Sequence, residues 1–173
     1  MVVTADSNLI DFVITEIRSN ELYIGVKKGS FSELTIDVYC PIITSVSVSD
    51  AGKFQSADKI AASTFTSNVS GSGKIEANIE SENCLVKISG SGKITITGNS
   101  TNSNIDVSGS GNFSGNNFEI KNAAANISGA GKASVFVTDN LKATVSDSGK
   151  LNYRGESKVD TSVLSYTDNK IKI

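Results

Sequence analysis

Apolar and polar residues alternate along most of this chain, and a short glycine-bearing bend breaks the alternation at near-regular intervals. Val69-Ser70-Gly71-Ser72-Gly73-Lys74-Ile75 is the pattern. It recurs over Ile88–Ile94 and, with Asn112 in place of lysine, over Val107–Phe113. Ile127–Ala133 carries Ala130 as its central residue, and Val48–Phe54 and Val145–Leu151 carry Asp50 and Asp147 at the first glycine position. The second glycines are Gly52, Gly73, Gly92, Gly111, Gly131 and Gly149, spaced 21, 19, 19, 20 and 18 residues apart. A period near 20 is the mark of a repeat architecture.

Counting back from the second glycine defines columns. Four before it stand Val48, Val69, Ile88, Val107, Ile127 and Val145, all β-branched. Six before it stand Val46, Ser67, Val86, Ile105, Ala125 and Ala143; eight before it stand Thr44, Phe65, Cys84, Ser103, Ala123 and Leu141. Two after it stand Phe54, Ile75, Ile94, Phe113, Ala133 and Leu151. Five before it the residues are polar: Ser47, Asn68, Lys87, Asp106, Asn126 and Thr144. Every second residue therefore points inward on both sides of the bend, the period of a β-strand and not of a helix.

Each repeat reads as strand, tight bend, strand and looser return. One repeat cannot bury its apolar side alone, so neighbours must stack in register. The expectation is an all-β, single-stranded β-helix or solenoid, right-handed, of about seven to eight rungs of roughly 20 residues. At about 4.8 Å per rung this makes a rod of roughly 35 Å. One domain is expected over 1–173: N-terminal strands or a cap over 1–44, the repeat array over 45–155 and a degenerate last rung or C-terminal cap over 156–173. In that last rung Leu164 and Ser165 precede Tyr166–Asn169, and Lys170 and Ile171 restore the lysine–apolar pair, with Ile171 and Ile173 inward. Before the array, Glu21–Lys27 and Leu34–Tyr39 alternate as half-buried strands around a turn at Lys27–Ser30, and residues 9–18 read as a further strand.

The bend itself suggests its own chemistry. Gly71, Gly90, Gly109 and Gly129 share a column with Asp50 and Asp147, which predicts positive φ there. The invariant second glycine predicts steric crowding or a conformation closed to other residues. Only Ala51, Ser72, Ser91, Ser110, Ala130 and Ser148 stand between the two, as if tucked into a corner. The serine before each bend is expected to bond turn amides.

Composition narrows the function. The 173 residues carry a net charge of −2, so nucleic-acid binding is not expected. Histidine is absent, which removes the commonest general base and transition-metal ligand. No cofactor or metal is expected, and no apolar run is long enough for a transmembrane helix. Cys40 and Cys84 occupy different columns, so two buried free thiols are expected and not a disulfide.

Ser-Gly-Ser-Gly-Lys resembles the end of a phosphate-binding loop, but Asn68, Lys87 and Asn126 stand where that loop needs glycine, and apolar residues follow the lysines. The calcium-binding nonapeptide also fails, because the column two after the second glycine is apolar. Asp106 could neighbour Lys87, and Glu76 and Glu80 lie near one return, but no two acids converge in a column, so no catalytic residue is assigned. What remains is the column after the bend: Lys53, Lys74, Lys93, Lys132 and Lys150, interrupted by Asn112. Stacked, these lysines make a positive stripe. It is either a solvated surface that discourages aggregation or a groove for an acidic glycan or envelope polymer.

These repeats, the opening Ala5–Ile17 with Leu22–Ile24, and the exit Leu151–Val159 together resemble the auto-transporter adhesin head domain family, also called the GIN domain, over nearly the whole chain. The resemblance implies a β-helical protein, secreted or attached to the envelope of Bacteroidetes-type bacteria. It supplies no catalytic residues. Two departures are expected: the strand or two that precede Ala5 in the family are missing, and Tyr166–Asn169 replaces a further glycine bend. Met1-Val2-Val3-Thr4 reads as mid-domain sequence from which a leader has been trimmed, so the setting is secreted, periplasmic or outer cell surface. The expected function is a non-enzymatic adhesin-like module that presents an extended face to glycan or protein. The alternatives are a self-associating envelope rod and a polysaccharide-degrading β-helix enzyme.

Overall fold

The computed structural model describes residues 2–5, 12–27, 34–163 and 170–172. The chain forms two compact units, Met1–Pro41 and Ile42–Ile173.

The described residues of the first unit form four short strands, β1 (Val2–Ala5), β2 (Val13–Arg18), β3 (Glu21–Val26) and β4 (Leu34–Asp37). All pairing is antiparallel, β1 with β4 and β2 with β3. The consecutive strands β3 and β4 thus pair with β2 and β1, not with each other. Ser19 and Asn20 join β2 to β3 with φ of 48° and 66°, the two left-handed residues that a two-residue hairpin turn requires. Two expectations need correction. Val2–Ala5 is a strand, so the chain does have one ahead of the family-like opening. Leu22, Ile24 and Val26 share one side of β3 but are exposed and not half-buried. The turn expected at Lys27–Ser30 begins in a bend at Lys27; its other residues lie outside the described residues.

The second unit is a β-solenoid, one parallel sheet from β5 (Ser45–Asp50) to β13 (Lys170–Lys172). Its full turns are β6 (Lys53–Gly71), β7 (Lys74–Gly90), β8 (Lys93–Gly109), β9 (Asn112–Ile127), β10 (Lys132–Val145), and β11 (Lys150–Arg154) with β12 (Lys158–Val163). This makes about six turns with partial turns at both ends, fewer than the seven to eight expected. The shortfall arises because the described strands of the first 41 residues form antiparallel pairs instead of parallel rungs. Rungs β6 to β10 lack the looser return expected of them, whereas β11 and β12 are joined by one over residues 155–157. β8, for example, is strand throughout, because single residues such as Gly98 (φ 103°) turn the corners without a loop.

Register makes the core. Val69, Ile88, Val107 and Ile127 stack in one column, and Ile75, Ile94 and Phe113 in another, all fully or almost fully buried. Burying each such side chain contributes about 1.5–3 kcal/mol. A second stack lies on the outside. Asn102, Asn122 and Asn140 each donate an amide hydrogen to the side-chain oxygen of Asn83, Asn102 and Asn122, at 3.2, 3.3 and 2.7 Å. The last rung departs from expectation. The register sets Lys170, not Ile171, opposite Leu151, a slip of one residue. Leu164 and Ser165 lie outside the described residues. Cys84 is buried and its thiol is pushed up to about 12 by that burial, but Cys40 is exposed and not buried as expected.

Candidate functional site: the lysine-bearing face

The corner that follows each strand decides how the lysines are presented. Backbone amides there bond the rung before: Ser91 N–H donates to the Gly71 carbonyl at 2.8 Å and Lys93 N–H to the Gly73 carbonyl at 2.9 Å, with equivalents in neighbouring rungs. The serine column is therefore not needed to satisfy turn amides. Where a hydroxyl of that column bonds, at Ser108, it donates to the Ile88 carbonyl. The central corner residues, Ser72, Ser91, Ser110 and Ala130 among them, are exposed and not tucked in. The crowding expected of the second glycine is present. A Cβ on Gly73 would stand 2.5 Å from a Val48 methyl, and one on Gly92 would run into a Val69 methyl. The β-branched column of one rung thus occupies the space under the glycine of the next.

Leaving the corner, the five lysines align as expected from their spacing. Lys53 is opposite Lys74, Lys74 opposite Lys93, Lys93 and Lys132 both opposite Asn112, and Lys132 opposite Lys150. All five are exposed. Lys53 forms an ion pair with Glu76 at 3.0 Å. Among the described residues, Lys74, Lys93, Lys132 and Lys150 have no carboxylate at ion-pair distance. Lys59 pairs with Glu80 at 2.5 Å, which holds that carboxyl below its ordinary range, first by hydrogen bonding and then by charge. The acids Glu76 and Glu80 both lie on strand β7, each facing a lysine of β6. Asp106 does stand opposite Lys87, and accepts a hydrogen bond from the Asn126 amide at 2.8 Å.

A groove on the same face escaped sequence reading. Gln55 is opposite Glu76 and Lys59 opposite Asn78, so three residues of β6, Ser56, Ala57 and Asp58, oppose the single residue Ala77. This bulge pushes the β6 backbone out of the ladder. Ser56 Oγ accepts a hydrogen bond from the Asn78 amide at 3.1 Å, which pins the bulge to the next rung. Under it lies a shallow groove of about 230 Å³, floored by Glu76, Asn78, Thr95 and Thr97. The signal was available: the 21-residue spacing from Gly52 to Gly73 is two longer than its neighbours, and the two extra residues are in the bulge. A second hollow of about 170 Å³ lies beside Asp106, Asn126 and Thr144. No group of three or more His, Cys, Asp or Glu side chains suited to a metal occurs among the described residues.

The family described as "Putative auto-transporter adhesin, head GIN domain" matches residues 1–157. The chain belongs to this family. Three solved structures share the GIN-domain fold with it. A "putative adhesin" from Parabacteroides distasonis is 23% identical, with a TM-score of 0.81 over 98% of this chain and 82% of that one. A "putative adhesin" from Bacteroides fragilis is 17% identical, with a TM-score of 0.86 over 98% and 80%. A "putative lipid binding protein" from Parabacteroides distasonis is 20% identical, with a TM-score of 0.78 over 99% and 82%. No curated protein matches. The GIN family and these neighbours are described as adhesins or binding proteins, not as enzymes. Among the described residues, no helix of this GIN domain is long and apolar enough to cross a membrane.

Proposed function

We propose that this GIN domain is a non-enzymatic binding module of the cell surface or extracellular space, whose lysine-bearing face engages an anionic glycan or an envelope protein. The observation that carries this reading is the in-register column Lys53, Lys74, Lys93, Lys132 and Lys150, one exposed ammonium per rung except at Asn112. Ammonium groups repeated at strand spacing attract a polyanion more than any one of them could, and salt screens that attraction. The chain's own net charge of −2 offers no general attraction, so binding must come from this face. The test is titration of sulfated or uronate-rich glycans, and of vesicles with anionic headgroups, against the wild type and a Lys74→Ser/Lys93→Ser/Lys132→Ser variant at two salt concentrations. The expected result is salt-sensitive binding that the triple variant loses. Unchanged binding by the variant sinks the reading.

A second reading, a self-associating envelope rod, is favoured by one observation. Strand β5 covers β6 only over Thr66–Gly71. Among the described residues no strand pairs with Lys53–Phe65 on that side, and an uncovered edge is a template for another chain. Lys53, Asp58, Lys59 and the bulge blunt part of this edge, which ranks the reading second. Light scattering that finds only monomer across a wide concentration range removes it.

A further inference from the structure

Resting on the reading of this face as a binding surface, we infer that the groove beneath the β6 bulge is a subsite for one neutral hexopyranose ring. Its polar groups converge from three rungs: Gln55 and Ser56 from β6, Glu76 and Asn78 from β7, Thr95 and Thr97 from β8. The two amides and the threonine hydroxyls each donate and accept. Ser56 Oγ accepts from the Asn78 backbone N–H and keeps its own hydrogen to donate. Glu76 only accepts. A ligand that satisfies such a set must itself donate and accept at adjacent positions, as vicinal hydroxyls do.

Charge excludes the other classes. The Glu76 carboxylate repels an anion inside the groove, even though anions suit the lysine column beside it. A cationic ligand would have to displace Lys53, already 3.0 Å from Glu76. The threonine methyls and the edge of Ala77 offer apolar patches to the C–H face of a sugar. At about 230 Å³ the groove lies below the roughly 300–1,000 Å³ of sites for drug-sized ligands, so it takes one ring and not a chain of them. No aromatic side chain lines it, so a single ring binds weakly, and tight binding requires a polymer that also reaches neighbouring contacts.

The groove is preorganised. Its floor is two strands in unbroken register, Glu76 opposite Thr95 and Asn78 opposite Thr97. Its wall is a bulge fixed by the Ser56–Asn78 bond.

Amide NMR of the full chain, titrated with methyl glucoside, galactoside and mannoside and, separately, with glucuronate and glycerol, tests the assignment. At least one neutral hexoside is expected to shift the Glu76, Asn78, Thr95 and Thr97 amides in a saturable way, with glucuronate and glycerol weaker. The isosteric Thr95→Val/Thr97→Val variant should weaken that hexoside about tenfold, with the remaining spectrum unchanged. Lys74→Ser/Lys93→Ser/Lys132→Ser should leave it intact. The assignment is overturned if no neutral hexoside moves these amides, if the valine variant binds equally well, or if glucuronate or glycerol binds there as tightly. Polyanion binding that is absent from the wild type or unchanged in the lysine variant, with hexoside binding retained, would count against the lysine reading alone.

Discussion

At Gly71 and Gly90 the first corner residue stands at φ 113° and 114°, whereas Asp50 and Asp147, in the same column at the two ends of the array, stand at φ 58° and 57°. Gly109 and Gly129 fall between, at 88° and 76°. The aspartates sit in the left-handed well that Asp and Asn tolerate; the inner glycines lie beyond it, where a side chain is strained. Contact with the rung below adds to this. A Cβ on Gly90 would stand 2.7 Å from the Gly71 carbonyl oxygen. Asp147 accepts the Gly129 backbone N–H at 3.1 Å. One column of the sequence thus holds two conformations, and the residue type reports which one. Glycine marks corners pressed between rungs, and aspartate marks corners at the ends.

The largest test of this contrast is aspartate moved inward. Gly90→Asp is expected to cost about 3 kcal/mol or more in urea unfolding, Gly129→Asp clearly less, and Asp50→Gly within about 1 kcal/mol. Equal losses at Gly90 and Gly129 would show that φ is not the deciding variable. Next comes the second glycine. Gly92→Ala, driven against Val69, should cost about 2–3 kcal/mol and recover in part when Val69→Ala is added. Gly52→Ala at the end rung meets the Val48 methyl only at 3.3 Å and should cost under about 1 kcal/mol. The amide ladder repeats the contrast on a smaller scale. Asn102 both donates and accepts along it, while Asn83 only accepts. Asn102→Ala should cost about 1–2 kcal/mol and Asn83→Ala about half of that. Smallest in energy but simplest to read are the thiols. Native protein at mild alkaline pH should alkylate quickly at Cys40 and only on unfolding at Cys84, whose thiol burial holds up to about 12. Rapid labelling of Cys84 would mean the rungs open.

The solenoid was legible because the column four before Gly52, Gly73, Gly92, Gly111, Gly131 and Gly149 is valine or isoleucine throughout, with mostly apolar columns at even distances from it. The alignment of the five lysines followed from the same count. The groove did not, since it depends on where two extra residues of a rung are placed, and Ser56–Asp58 could equally have lengthened a loop. The small bump at Gly111–Gly131, one residue over 19, has the same origin. It is the extra residue of β9 where Gly115 and Asn116 oppose only Ile96. The asparagine stack stood nine residues before Gly92, Gly111, Gly131 and Gly149, one position beyond the columns counted from the bend. Partner choice in the first 41 residues was hidden for another reason. Strands of four to six residues alternate equally well in either orientation, and nothing in Leu34–Asp37 names Val2–Ala5 as its mate.

The near-constant offset between paired residues also shapes how the molecule forms and yields. Every rung of the array joins its neighbour by closing a loop of similar length, so each addition meets about the same entropic toll. Assembly can begin at any adjacent pair and advance like a zipper, and the terminal turns, with one neighbour each, are the first to fray. A load applied along the chain would therefore peel a solenoid of this kind rung by rung, dissipating work gradually instead of failing in a single rupture.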